Sequence, residues 1–344
     1  MLTRRAFLRC AGLAGAGFVA SGSWPALAAA PVTAYKGVTF LTPAYRALMY
    51  GIQGFVERLR QQSEGTFGVE FFDSASLMKA DEQVAGLRVG TIQFMFHTTS
   101  YITETFPILG ILGLPGVCQE LYLHPERLTM ESGLWDCINE ALARDNLFML
   151  SAGGGVMEPE YIWSGKNRVV SLADLAGKRC RVVSHEVFGM VEGFGAEPLR
   201  IPSDAIYLAL QRGALDAVVA NISTIVSRNL QEHLRYCYRL PMTAYAIALF
   251  LRKDFWSSLA DKARAAFRDS AKWFDANEAR MVNQTFYPDE DWPLVRKAGI
   301  ETVEPSEDDL RSFGEKAGAV HEEWLQRVDP DLGKKALALA LGKS

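Results

Sequence analysis

At 344 residues, with 49% apolar and 22% charged side chains, the chain fits an ordinary globular protein and is too long for one small core. The net charge is −4, and the first 30 residues hold Arg4, Arg5 and Arg9 but no acid, so the remainder carries −7. An acidic body of this kind excludes nucleic acid and an anionic membrane surface as main partners.

The N-terminus carries a specific signal. Thr3-Arg4-Arg5-Ala6-Phe7-Leu8 is a twin-arginine start, Cys10 to Ala20 is apolar and rich in Gly and Ala, and Ala26-Leu27-Ala28 is an A-x-A cleavage pattern. The apolar run is short for a bilayer of about 30 Å. Residues 1–30 are therefore expected to be a cleaved export signal, which places the remainder in the periplasm. Cys118, Cys137, Cys180 and Cys237 are too scattered for a C-x-x-C pair, so neither a zinc site nor a thioredoxin-like centre is indicated.

Beyond the signal, Gly37 to Leu41 is a strand candidate. Ala44, Ala47, Leu48, Gly51, Ile52, Phe55, Val56 and Leu59 then recur at helical spacing, Gly65 stops that helix, and Val69 to Phe72 returns as a strand. Helices and strands alternate for most of the chain, which predicts an α/β architecture. Two segments resemble each other. Asp81–Leu87 and Asp204–Leu210 are amphipathic helices stopped by Gly90 and Gly213, and each is followed by a short apolar strand. Those strands end in polar residues, His97, Thr98, Thr99 and Ser100 in one case and Asn221, Ser223 and Thr224 in the other. Ligands of open α/β sheets lie beyond the carboxyl ends of strands.

Between them, Ser171 and Asp174 form a capping box, and Arg179 to Val183 is a strand ending at Ser184 and His185. Ser203 is the expected N-cap of the following helix, and Ser258 with Asp261 a second capping box. From Leu259 one apolar stripe runs to Val282 with no proline before Pro288, which predicts a helix of roughly 28 residues, about 42 Å long. A final helix opens at Ser306 and Asp309.

One run is more specific than any single residue. Leu175-Ala176-Gly177-Lys178-Arg179-Cys180-Arg181-Val182, then Gly195-Ala196-Glu197-Pro198, then Ile206-Tyr207-Leu208-Ala209-Leu210-Gln211-Arg212-Gly213-Ala214-Leu215-Asp216 resembles the solute-binding subunits of TRAP (tripartite ATP-independent periplasmic) transporters. The resemblance extends from about Val38 to Val328. It implies a two-lobed α/β periplasmic binding protein with mixed sheets, hinge strands and a long helix spanning both lobes. Residues 31–158 plus 247–286 would form lobe I, residues 159–246 plus 287–330 lobe II, and 331–344 a tail.

The resemblance also implies a small organic acid as ligand, TRAP membrane subunits as partners, and either a monomer or a homodimer. Its ligand-pairing arginine falls on Arg181, whose planar guanidinium can give a carboxylate two parallel hydrogen bonds. A second family contact falls on Asn221, with a turn or cap role as the alternative. His97 and Thr98 at the end of the first lobe's strand, with Ser184 and Thr224, complete the polar candidates. Tyr161, Trp163, Tyr245 and Phe188 are candidates for an aromatic wall, with core packing the alternative reading. The chain shows no nucleophile elbow, H-E-x-x-H, phosphate loop or dinucleotide fingerprint, and no cofactor is expected. The competing expectation is an exported hydrolase with His97 or His185 as base.

Overall fold

The computed structural model describes residues 33–343, and the export signal expected over residues 1–30 lies outside them. Two mixed sheets carry the fold. The first contains β1 (Ala34–Val38), β2 (Gly68–Phe72), β3 (Phe94–Thr98), β4 (Leu147–Ser151) and β10 (Ile247–Arg252), in the order β2-β1-β3-β10-β4. The second contains β5 (Glu160–Ser164), β6 (Arg179–Val182), β7 (Glu197–Arg200), β8 (Ala217–Ala220), β9 (Tyr236–Thr243) and β11 (Glu301–Val303), in the order β11-β9-β5-β8-β6-β7. In the first sheet β1 pairs in parallel with β2 and β3, and β10 runs antiparallel between β3 and β4.

The chain passes between sheets twice in the core, from β4 to β5 and from β9 to β10. The two crossings hydrogen-bond to each other, Met157 N–H donating to Tyr245 O at 2.8 Å. Strand alternation buries both faces. Phe94 and Phe96 belong to one apolar cluster and Met95 to the other, and each cluster draws residues from both sheets.

Helices cover these faces. Up to residue 227 they are α1 (Arg46–Ser63), α2 (Gln83–Arg88), α3 (Val117–Leu123), α4 (Gly133–Leu142), α5 (His185–Gly193), α6 (Ile206–Gln211) and α7 (Ile222–Ser227). The expected glycine stops hold, with Gly90 and Gly213 at φ +79° and +66° after α2 and α6. The short α8 (Lys253–Ser258) is followed by α9 (Asp261–Met281), a π-helical stretch over Val282–Asp291, and α10 (Trp292–Lys297).

These three run together without a break from Asp261 to Lys297, about 55 Å at 1.5 Å per residue. The helix is longer than the sequence suggested because Pro288 does not end it. The wider π turns accommodate a residue that lacks an N–H and would clash in an α-helix. α9 packs on α1 and β4 of the first sheet's lobe, and α10 on α7 of the second's.

Two expected caps are not made. Ser258 Oγ donates backwards to Phe255 O at 2.8 Å instead of capping α9. Ser203 stands ahead of α6, whose first turn has no side-chain cap. Ser171 and Ser306 do accept from the N–H groups of Asp174 and Asp309, at 3.3 and 3.1 Å. The last helices are α11 (Glu307–Arg327) and α12 (Pro330–Ala340). The segment expected as a tail is thus largely α12, which buries Leu332, Ala336 and Ala340 in the apolar cluster that holds Met95. Among the described residues all four cysteines are buried and unpaired, and burial pushes the Cys118 and Cys180 thiols up to about 12.

Candidate ligand site between the lobes

A narrow cavity lies where the strand ends of the two sheets face each other across the crossings. Its first-sheet side is made by Phe40, Leu41, Tyr45, Leu48, Thr98, Ser100 and Tyr101. Arg181, Ser203 and Thr224 close it from the second sheet, with Glu160 at the start of β5 and Tyr245 on the crossing from β9 to β10. It offers about 20 Å³ to water, room for little more than one molecule.

Arg181 sits on β6, flanked by β7 and β8, with only 2% of its surface exposed. Nε donates to Ile201 O and Nη1 to Val219 O, both at 2.8 Å. These bonds fix the guanidinium plane and leave Nη2 without a protein acceptor among the described residues. Thr98 Oγ1 is buried without a partner. A buried donor left unmet costs about 1–3 kcal/mol, so the cavity is built to receive an acceptor.

Glu160 was missed by sequence reasoning. Desolvation lifts its carboxyl to about 7, although the Arg181 charge and the Asn221 backbone N–H both favour the ionised form. The available signal was an acid in Glu158-Pro159-Glu160, immediately before an apolar strand. Tyr101, also missed, closes the polar run that begins at Thr98.

Of the expected site residues, Arg181, Thr98, Thr224 and Tyr245 meet at this cavity, and the others do not line it. Asn221 is fully buried and spends its amide locally. Its Oδ1 caps α7 by accepting from Ser223 N at 3.0 Å, and Nδ2 donates to Glu158 O at 2.6 Å. It therefore holds the turn after β8 and, through its backbone, touches Glu160. His97 lies behind the cavity, its ring nitrogens 2.9 and 3.0 Å from Thr98 O and Ala80 O, and burial lowers its pKa.

Trp163 is core: Nε1 donates to Ala220 O at 2.8 Å and its ring stacks on Trp292. Tyr161 donates to Glu158 and lies under Arg239, on the side of β5 facing the long helix. Ser184 precedes α5 with its hydroxyl buried and unbonded, and Phe188 stacks on His185. His185 faces Glu323 near the surface at 3.5 Å. Neither His97 nor His185 has the access to the cavity that a general base needs.

Residues 42–327, most of the chain, match the family described as bacterial extracellular solute-binding protein, family 7 (DctP). The chain belongs to this family. The resemblance drawn from the Gly177–Asp216 signature therefore holds, and a family of solute receptors gives the hydrolase reading no support.

Among relatives of this solute-binding protein, the C4-dicarboxylate-binding protein DctB of Bacillus subtilis is 22% identical over 289 residues, 80% of this chain and 75% of that protein. The 2,3-diketo-L-gulonate-binding periplasmic protein YiaO of Escherichia coli is 20% identical, with 77% and 78% of the two chains covered. The match to a solute-binding protein of Albidiferax ferrireducens is 26% identical but spans only about half of each chain.

The fold is that of the Bordetella pertussis extracytoplasmic solute receptor DctP7, which binds pyroglutamic acid. The TM-score is 0.78 at 18% identity, with 90% of this chain and 99% of that one covered. A TRAP periplasmic solute-binding protein of Rhodoferax ferrireducens with bound malonate gives 0.72 at 20% identity, covering 90% and 97%.

Proposed function

We propose that this protein captures a small organic acid in the interlobe cavity, with Arg181 as the anchor of its carboxylate, and delivers it to the membrane subunits of a TRAP-type transporter. The observation that carries this reading is the buried guanidinium lining the cavity, held by two backbone carbonyls and with no protein acceptor at Nη2 among the described residues. The acids named for the relatives and neighbours, a C4-dicarboxylate, malonate and pyroglutamic acid, all present such a carboxylate. Export through the twin-arginine signal of residues 1–30 completes the reading.

Titration calorimetry of the ligand-stripped protein against mono-, di-, keto-, sugar and lactam acids tests it. At least one acid should bind with release of heat and stabilise the fold by about 2.7 kcal/mol at a hundredfold excess over Kd. Binding of neutral or cationic solutes alone would overturn the acid reading.

The cavity is too small for an organic acid as it stands, so entry requires the lobes to part. Contacts across its mouth supply a latch. Ser203 N–H donates to Tyr101 Oη at 2.9 Å, Arg200 donates to Tyr101 O at 2.9 Å and pairs with Glu104, and Arg228 Nε donates to Tyr45 Oη at 3.2 Å. Glu104 and the tyrosines belong to the first lobe, the serine and arginines to the second. Arg200→Ala should raise the ligand dissociation rate about fivefold, the size expected for a largely exposed charged contact, and leave the association rate nearly unchanged. Stopped-flow release by dilution reads this directly, and an unchanged release rate would remove Arg200 from the latch.

A further inference from the structure

Glu160 places a carboxylate in the same dry cavity as the anchor arginine. It lies at the first residue of β5, 5% exposed, and Arg181 spends two of its nitrogens on backbone carbonyls rather than on Glu160. A plain carboxylate ligand would neutralise Arg181 and leave its own negative charge facing Glu160. The other polar side chains lining the cavity, Thr98, Ser100, Ser203, Thr224 and the tyrosines, are hydroxyls that donate or accept without preference. Above about pH 7, where Glu160 is ionised, it is the lining group that only accepts. Phe40, Leu41 and Leu48 add an apolar wall suited to a few methylenes.

We infer that Glu160 is a specificity-determining residue: with Arg181 it selects acids that carry an N–H donor beside the carboxylate, a lactam or an α-amino acid, over equally shaped acids that lack one. This rests on the proposed acid-binding function and narrows its substrate class. A ligand with both groups satisfies both charges at once. One without the N–H buries Glu160 against an acceptor, the mismatch that binding sites discriminate most strongly. The N–H is either neutral, in a lactam, or part of an ammonium, and the probes separate the two.

The test uses matched pairs on the purified, ligand-stripped protein, at a pH well above 7 so that Glu160 is ionised. 5-Oxopyrrolidine-2-carboxylate is compared with its lactone analogue, 5-oxotetrahydrofuran-2-carboxylate, and proline with cyclopentanecarboxylate. In at least one pair the N–H member should bind about 100-fold more tightly. Glu160→Gln, which gains a donor and loses the charge, should shrink that ratio to below about tenfold, with the lactone or cyclopentane acid held as well as before.

Equal affinities within both pairs, or tighter binding of the lactone, would overturn the assignment. If Arg181→Ala still abolished binding in that case, the acid-binding function would stand without it. If no N–H member binds at all, the inference fails, and silence from the whole acid panel would then take the acid reading with it. Should Glu160→Gln not fold, the wild-type ratios alone decide.

Discussion

Arg181→Ala should weaken binding of the cognate acid by at least 100-fold, about 3 kcal/mol, measured by titration calorimetry. The side chain is almost wholly buried, so its charge meets the ligand's with little water between them. The loss has two parts. The ligand carboxylate forfeits its charged donors, and it is then left in a cavity whose remaining charge is Glu160. Arg181→Lys separates them, because lysine keeps the charge but loses the planar fork and the two bonds to Ile201 O and Val219 O that aim it. An intermediate loss of about tenfold is expected for lysine. Wild-type affinity in Arg181→Ala would show that the carboxylate is held elsewhere.

Much of the fold was legible because local chemistry and tertiary structure agree along most of this chain. The stops at Gly90 and Gly213 sit at positive φ, the Ser171 and Ser306 caps form, and the run from Gly177 to Asp216 places β6, β7, α6 and β8 in order. Arg181 was legible from that run, and Thr98 and Thr224 from the rule that sites gather at strand ends.

What was not legible depends on direction rather than residue type. Asn221 and Thr224 both follow β8, but the chain turns into α7 so that the asparagine amide caps the helix while the threonine meets the cavity. Tyr161 and Glu160 are adjacent on β5, and strand alternation sends one to the long helix and the other to the cavity. Pro288 reads as a helix stop, and only the π stretch, which no local pattern announces, carries the helix through it.

The run Gly153-Gly154-Gly155, which lacks the lysine and hydroxyl of a phosphate loop, has a mechanical role that decides the second large effect. It forms the crossing from β4 toward β5 and lies directly on α9. Gly154 N–H donates to Asp275 Oδ1 at 3.1 Å, and Ala279 N–H to Gly153 O at 3.0 Å. Asp275 also takes bonds from Ser151 Oγ at 2.7 Å and Met130 N–H at 3.0 Å, so one carboxylate ties strand, crossing and loop to the long helix.

Gly154 has φ +74°, and a Cβ there would stand 1.8 Å from Asp275 O, a backbone atom that cannot move without the helix. Gly154→Ala should therefore cost about 4 kcal/mol, combining left-handed strain with overpacking. At roughly 2 °C per kcal/mol for a chain of this size, the melting temperature should fall by about 8 °C.

Gly213→Ala is the matched control, because φ is +66° but nothing lies within 4 Å of its Cβ. It should lose only about 1 kcal/mol, the backbone cost alone. Equal losses in the two variants would mean that the close approach of crossing and helix contributes nothing. A fourfold difference would show that the crossing lies against the long helix too closely to admit a methyl group.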